Sequence, residues 1–137
     1  MVDDKGTTML LCFGLPPVVH SDDVVRGVLA SLLICWQLKR LHGLPAPAVG
    51  VAVGEHVFCG VVGGRTRREY SIIGDSANIA ARLMQRAKGM PGGGVLCSES
   101  VFDAIGNGSS SPGSAAMAFH FVELHAVSGD YNILEYN

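Results

Sequence analysis

No stretch of this sequence is long and apolar enough to suggest a membrane span. The most hydrophobic run, Val24 to Trp36, is interrupted by Arg26 and closes near Lys39 and Arg40, well short of the roughly 20 apolar residues a spanning helix needs. No basic segment follows Met1, where Val2-Asp3-Asp4-Lys5 stands instead, so no secretory leader is expected. Charge of either sign is not in excess: 10 Lys and Arg oppose 12 Asp and Glu, a balance of −2. That balance excludes the strongly basic face of a typical nucleic-acid binder and gives no attraction to an anionic membrane. The four cysteines, Cys12, Cys35, Cys59 and Cys97, form no C-x-x-C pair and have apolar neighbours. Buried, reduced thiols are expected of them, not a disulfide or a zinc site. The five histidines do not bunch at ligand spacing. Phosphate-loop glycines are missing too, since Gly60-Val61-Val62-Gly63-Gly64 matches neither G-x-x-x-x-G-K-[ST] nor G-x-G-x-x-G.

What remains is a 137-residue chain, 48% apolar and 16% charged, which is enough to bury one core. Thr7 to Phe13 reads as a buried strand closed by Gly14 and Pro16-Pro17. Ser21-Asp22-Asp23 supplies an N-cap and an acidic first turn. Val24, Val25, Val28, Leu29, Leu32, Leu33 and Trp36 then form a wide apolar helical stripe that ends near Lys39, Arg40 and Gly43. Ala48 to Val53 and Val57 to Val62 read as two strands joined in a hairpin by Gly54-Glu55-His56. A charged loop, Arg65 to Glu69, leads to a short extended segment, Tyr70 to Ile73. Asp75-Ser76 is expected to cap a second helix over Ala77 to Lys88, with a glycine-rich stop after it. Gly94 to Cys97 is a strand, and a short helix runs from Ser98-Glu99 to Ile105. Residues 106–116 are low in complexity and read as a flexible loop. Phe119 to Leu124 and Tyr131 to Tyr136 are two last strands joined through Ser128-Gly129-Asp130. The alternation gives an α+β or α/β layered domain with helices packed on a sheet.

The densest information lies between Gly50 and Arg82. On the second helix Asn78 and Arg82 are four residues apart and share a face. A fixed amide with a guanidinium one turn away suits a phosphate-bearing substrate, because the planar fork of donors matches phosphate oxygens. Spacing alone favours the plainer reading, in which Arg82, Arg86 and Lys88 are the solvated side of an amphipathic helix. Asp3-Asp4 and Asp22-Asp23 are adjacent doublets, better read as turn and cap residues than as an acid–base pair.

These residues carry a resemblance. Gly60-Val61-Val62-Gly63, Arg67-Arg68-Glu69-Tyr70, Ser71-Ile72-Ile73-Gly74 and Ala77-Asn78-Ile79-Ala80-Ala81-Arg82 together resemble the class III nucleotide cyclase homology domain. The opening, Asp4-Lys5-Gly6 with Leu11 to Pro16, resembles more narrowly the second cyclase half of the soluble, bicarbonate-responsive adenylyl cyclases. The resemblance covers about Asp4 to Tyr136. The string from Glu69 to Arg82 is its specific part, and the C-terminal third matches in strand pattern only.

The resemblance implies an α+β fold with a ferredoxin-like, antiparallel-rich sheet and helices on one side, as one partial cyclase homology domain over 1–137 that lacks its first strand or strands. It implies conversion of ATP to cyclic AMP and pyrophosphate in a cleft between two such domains, in the cytoplasm. One half holds two divalent ions, Mg²⁺ or Mn²⁺, through aspartates. The other half orients the nucleotide. By position Asn78 matches the ribose-orienting asparagine and Arg82 the transition-state arginine, while Ser71 and Ile73 fall at the substrate-binding positions, Ser71 at the base. No residue of this chain is expected to ligate metal: the position of one family aspartate lies upstream of Met1, and Thr7 follows Gly6 where the other would stand. The base-selecting lysine also lies upstream. Serine at position 71 is closer to the threonine of soluble adenylyl cyclases than to the cysteine of guanylyl cyclases, which favours ATP. The expected partners are ATP and a second cyclase homology domain, and the chain alone is expected to be inactive. A noncatalytic pseudo-cyclase module that dimerises and regulates a partner is the alternative.

Overall fold

Val95, Leu96 and Cys97 are each at most 1% exposed, and the fold is assembled on the strand that carries them. The structure, a computed structural model, describes residues 2–3, 6–108, 119–123 and 130–136. In chain order these form β1 (Val2–Asp3), β2 (Gly6–Thr7), α1 (Asp23–Lys39), β3 (Ala48–Val51), β4 (Phe58–Gly63), β5 (Arg68–Ile73), α2 (Asp75–Lys88), β6 (Gly94–Ser98), α3 (Glu99–Gly108), β7 (Phe119–Glu123) and β8 (Asp130–Tyr136). The main sheet has the order β3-β6-β8-β7. Its β3–β6 pair is parallel and its β6–β8 and β7–β8 pairs are antiparallel. The architecture is therefore α+β with both kinds of strand pairing.

A parallel pair needs a crossover, and α2 supplies it between β3 and β6. Alternation along β6 sends Val95 and Cys97 to one face and Leu96 to the other. Val95 and Cys97 pack with Val28 and Cys35 of α1 and Val101 of α3, flanked by Val24, Leu32, Val49 and Val51. Leu96 packs with Leu83 and Ala87 of α2, flanked by Ala48 and Met90. Helices thus cover both faces of the sheet, which corrects the one-sided arrangement expected from sequence. Strands apolar on both sides need cover on both sides.

Three further expectations are corrected. Ala48 to Val53 and Val57 to Val62 do not pair with each other. β3 pairs with β6, whereas β4 pairs antiparallel with β5, with Val61 opposite Tyr70 and Gly60 opposite Ser71. The hairpin therefore closes one step later in the chain, around residues 64–67. Thr7 to Phe13 is not a buried strand: β2 ends at Thr7, and Met9 (76%), Leu10, Leu11 and Phe13 are exposed. Among the described residues no strand lies beside this run, so its backbone has no ladder to join. The α1 stripe is narrower than its apolar residues suggest, with Val28 and Cys35 buried but Leu33 and Trp36 about half exposed. Of the cysteines, all free, only Cys35 and Cys97 are buried, and Cys12 is exposed. Burial pushes the Cys35 thiol up from its ordinary pKa.

Neither expected side-chain cap forms. Asp22 sits at the N-cap of α1 but accepts from Arg26 Nε at 2.8 Å instead of from a backbone N–H. Its hydrogen bond to the guanidinium holds the Asp22 carboxyl below the usual range. The pair supports the folded state above the ordinary carboxylate pKa, and that support is lost as pH falls through the lowered value. Because the pair is exposed, the contribution is small and screened by salt. The N-cap of α2 is Gly74, with Asp75 in the first turn near the positive end of the helix dipole. α3 continues past Ile105 to Gly108. Residues 109–116 of the expected loop, Asp4-Lys5 of the expected turn and the Ser128-Gly129 junction lie outside the described residues.

Candidate functional site

Helix α2 has one face fixed to the sheet and one face free. Leu83 and Ala87 are buried against β6. At β3 the approach is closer still: a Cβ added at Gly50 would lie 2.0 Å from the Ala80 carbonyl oxygen and 2.6 Å from the Met84 backbone nitrogen. Only a residue without a side chain lets strand and helix meet at that distance. Ala80, Leu83, Met84 and Ala87 therefore define the inward side of α2. Asn78 and Arg82 fall on the opposite side by helical geometry, and both are exposed.

The other two candidates lie on the strand that feeds this helix. Ser71 and Ile73 share one face of β5 by strand alternation. Ser71 is half-buried opposite Gly60, and Ile73 is 55% exposed. Gly74 alone separates β5 from α2, so strand and helix turn about a single residue. The loop Gly54-Glu55-His56 closes against this junction, where a Cβ on Gly54 would lie 2.4 Å from Ser76 Oγ. The structure thus brings Asn78 and Arg82 together on one helix face, and places Ser71 and Ile73 on the strand that leads into that helix.

Among the described residues neither the Asn78 nor the Arg82 side chain has a hydrogen bond or ion pair, so the Arg82 fork is unspent. Arg86, which shares the helix, is half-buried and engaged. Arg67 is also engaged, donating from Nε to Glu69 at 2.8 Å. Exposed apolar side chains lie on the same elements: Phe58, opposite Ile73, on the Ser71 face of the hairpin, Val61 and Tyr70 on its other face, and Ile79 on α2. The site is therefore open, with its polar groups on a surface rather than in a cleft of this chain. No group of three or more His, Cys, Asp or Glu side chains gathers to hold a metal ion among the described residues. No helix among them is long and apolar enough to cross a membrane.

Sequence reasoning missed Gly50 as the residue that seats α2. Its signal was a glycine inside an otherwise apolar strand, which marks close backbone approach.

No protein-family model matches the chain. Adenylate cyclase type 10 of Rattus norvegicus is 35% identical over 121 residues, which are 88% of this chain and 7% of that protein. The Homo sapiens protein of the same name is 34% identical over the same shares. An uncharacterized protein of Mycobacterium bovis is 48% identical over 100 residues, 73% of this chain and 18% of that protein. The chain therefore spans a small part of the curated relatives it matches. Among solved structures, the adenylyl cyclase CyaB from P. aeruginosa superposes with a TM-score of 0.63 at 21% identity, covering 90% of this chain and 65% of that one. The guanylyl cyclase domain of the RhoGC fusion protein from Blastocladiella emersonii gives 0.57 at 19%, covering 91% and 65%. At such identities the likeness establishes the fold.

Proposed function

Because the chain belongs to the class III nucleotide cyclase homology domains, homologous to adenylate cyclase type 10 over 88% of its length, we propose that it is the substrate-orienting half of an ATP-to-cyclic-AMP site. The observation that carries this is the pair Asn78 and Arg82, one turn apart on the outward side of α2 and unengaged by any described residue. In the reaction the ribose 3′-oxygen attacks the α-phosphorus, and the bond to the β-phosphate breaks to release pyrophosphate. Asn78 orients the ribose. Arg82 presents fixed positive charge to phosphoryl oxygens that become more negative on the way to the transition state. Ser71 meets the base and Ile73 lines the substrate site beside it, and serine at position 71 suits adenine.

A second cyclase homology domain completes the site. The exposed Phe58 and Ile73, cross-strand partners on the hairpin face that carries Ser71, offer apolar surface that such a partner would cover. On this reading carboxylates of that partner half would hold the two ions, Mg²⁺ or Mn²⁺. On the same reading the described sheet is part of a ferredoxin-like, antiparallel-rich sheet, and the product is a cytoplasmic cyclic-nucleotide signal.

The purified chain, incubated with ATP and Mn²⁺, should form no cyclic AMP above a blank. Mixed with a cyclase half that carries both metal aspartates, it should form cyclic AMP and pyrophosphate in equal amounts. Turnover by the chain alone, rising with its concentration, would refute the division of labour. Silence of the mixture despite complex formation would point to a noncatalytic module.

A further inference from the structure

The C-terminal end of α1 carries a surface that the nucleotide site does not use. Between Asp23 and Glu55 the sequence has no acidic residue, while Lys39, Arg40 and His42 fall together there. Leu33, Trp36 and Arg40 are spaced three and four apart and so share one side of the helix end. Leu33 is 49% exposed and Trp36 54%. Past the helix the apolar surface continues through Leu41 and Leu44 into an open groove of about 410 Å³, walled also by Pro45 and Pro47 and edged by Lys39. The Arg40 guanidinium lies over the Trp36 ring, 4.7 Å from its centroid. Held over the ring, the guanidinium keeps its N–H donors at its periphery, and among the described residues no carboxylate takes them. An arginine braced on a tryptophan, beside an apolar groove, is the residue chemistry that dominates protein interfaces.

We propose that this surface docks an acidic, amphipathic protein segment. One carboxylate of the segment takes the Arg40 fork bidentately, and a large apolar side chain a turn away fills the groove between Leu44 and the two prolines. The charge complementarity is local: the chain as a whole is slightly acidic, but residues 24–54 carry Arg26, Lys39 and Arg40 and no acidic side chain. A bilayer fits less well. Lys39 and Arg40 supply two fixed cations, each worth about 1 kcal/mol at an anionic membrane surface, and a concave groove makes poor contact with a flat one.

Trp36 is the sole tryptophan, so its emission reports directly on the surface. Random dodecapeptides displayed and selected on the whole chain should converge on an Asp or Glu within one turn of a Leu, Ile or Phe. The recovered peptides should shift Trp36 emission to the blue. Arg40→Gln should weaken them about tenfold or more. Leu44→Gln should also weaken them, and both variants should melt as the parent does, because both side chains are exposed. Peptides lacking carboxylates, equal binding by Arg40→Gln, or no recovered binder would overturn the proposal. So would an emission shift produced only by phosphatidylserine vesicles, or one that merely follows the concentration of the chain itself.

Discussion

Arg82→Ala, in the domain paired with its metal-binding half, should lower turnover by about 10²–10³, or roughly 3–4 kcal/mol of transition-state stabilisation, and leave the Michaelis constant within a few-fold. The reason is differential binding. A charge aimed at oxygens that gain negative character during the reaction helps the transition state more than the bound substrate. The geometry is suited to this. Arg82 lies on the outward side of α2, and no described carboxylate neutralises it beforehand. Lys88→Ala is the appropriate control: it removes another exposed cation of the same helix, in its last turn. Arg86 serves less well because it is half-buried and engaged, so its loss would also disturb packing. A rise in the Michaelis constant with turnover held would make Arg82 a ground-state binder. If neither constant moves, Arg82 is a solvated helix residue and its catalytic assignment is wrong.

Gly50→Ala should unfold or loosen the chain, although it adds a single methyl group. That carbon would sit 2.0 Å from the Ala80 carbonyl oxygen and 2.6 Å from the Met84 nitrogen, both backbone atoms. A flexible side chain could swing away, but a helix can only translate. Moving α2 off β3 also opens the packing of Leu83 and Ala87 on Leu96. Ordinary overpacking costs about 1–3 kcal/mol. A clash with helix backbone belongs at or above the upper end, which for a domain of this size is a fall of roughly 10 °C in melting temperature. Gly64→Ala is the contrast, since nothing lies within 4 Å of the added carbon there. Circular-dichroism melts of the two variants decide the matter, and equal melting temperatures would refute the close approach. Because α2 carries Asn78 and Arg82, Gly50→Ala should also reduce activity in the paired domain beyond what its residual folded fraction explains.

The helices were legible in the sequence and the strand pairing was not. α2 could be read because Ala80, Leu83, Met84 and Ala87 recur at helical spacing, and a glycine stands at each end. Its start still lay two residues earlier than expected, with Gly74 rather than a side-chain cap before it. Asn78 and Arg82 could be paired from spacing alone. Whether they faced the sheet or solvent waited on knowing which side β3 and β6 occupy. The hairpin was misplaced because Gly54-Glu55-His56 has the chemistry of a turn, whereas the partner of β3 lies beyond α2. Pairing across such a separation leaves no local mark. Met9 to Phe13 shows the same limit in reverse: an apolar run becomes a strand only where a neighbour completes its ladder. Trp36 closes the apolar stripe of α1, but packing against the sheet reaches only as far as Val28, Leu32 and Cys35.

The most direct test is the position of a nucleotide. The domain containing this chain, complexed with its metal-binding half and a non-cyclisable ATP analogue, can be crystallised and the contacts read off. The expected result has the Arg82 guanidinium within about 3 Å of phosphate oxygens, the Asn78 amide on the ribose, and Ser71 beside the base. A nucleotide bound away from α2, or an Arg82 turned to solvent in the occupied site, would contradict the assignment of this chain as the half that orients the substrate.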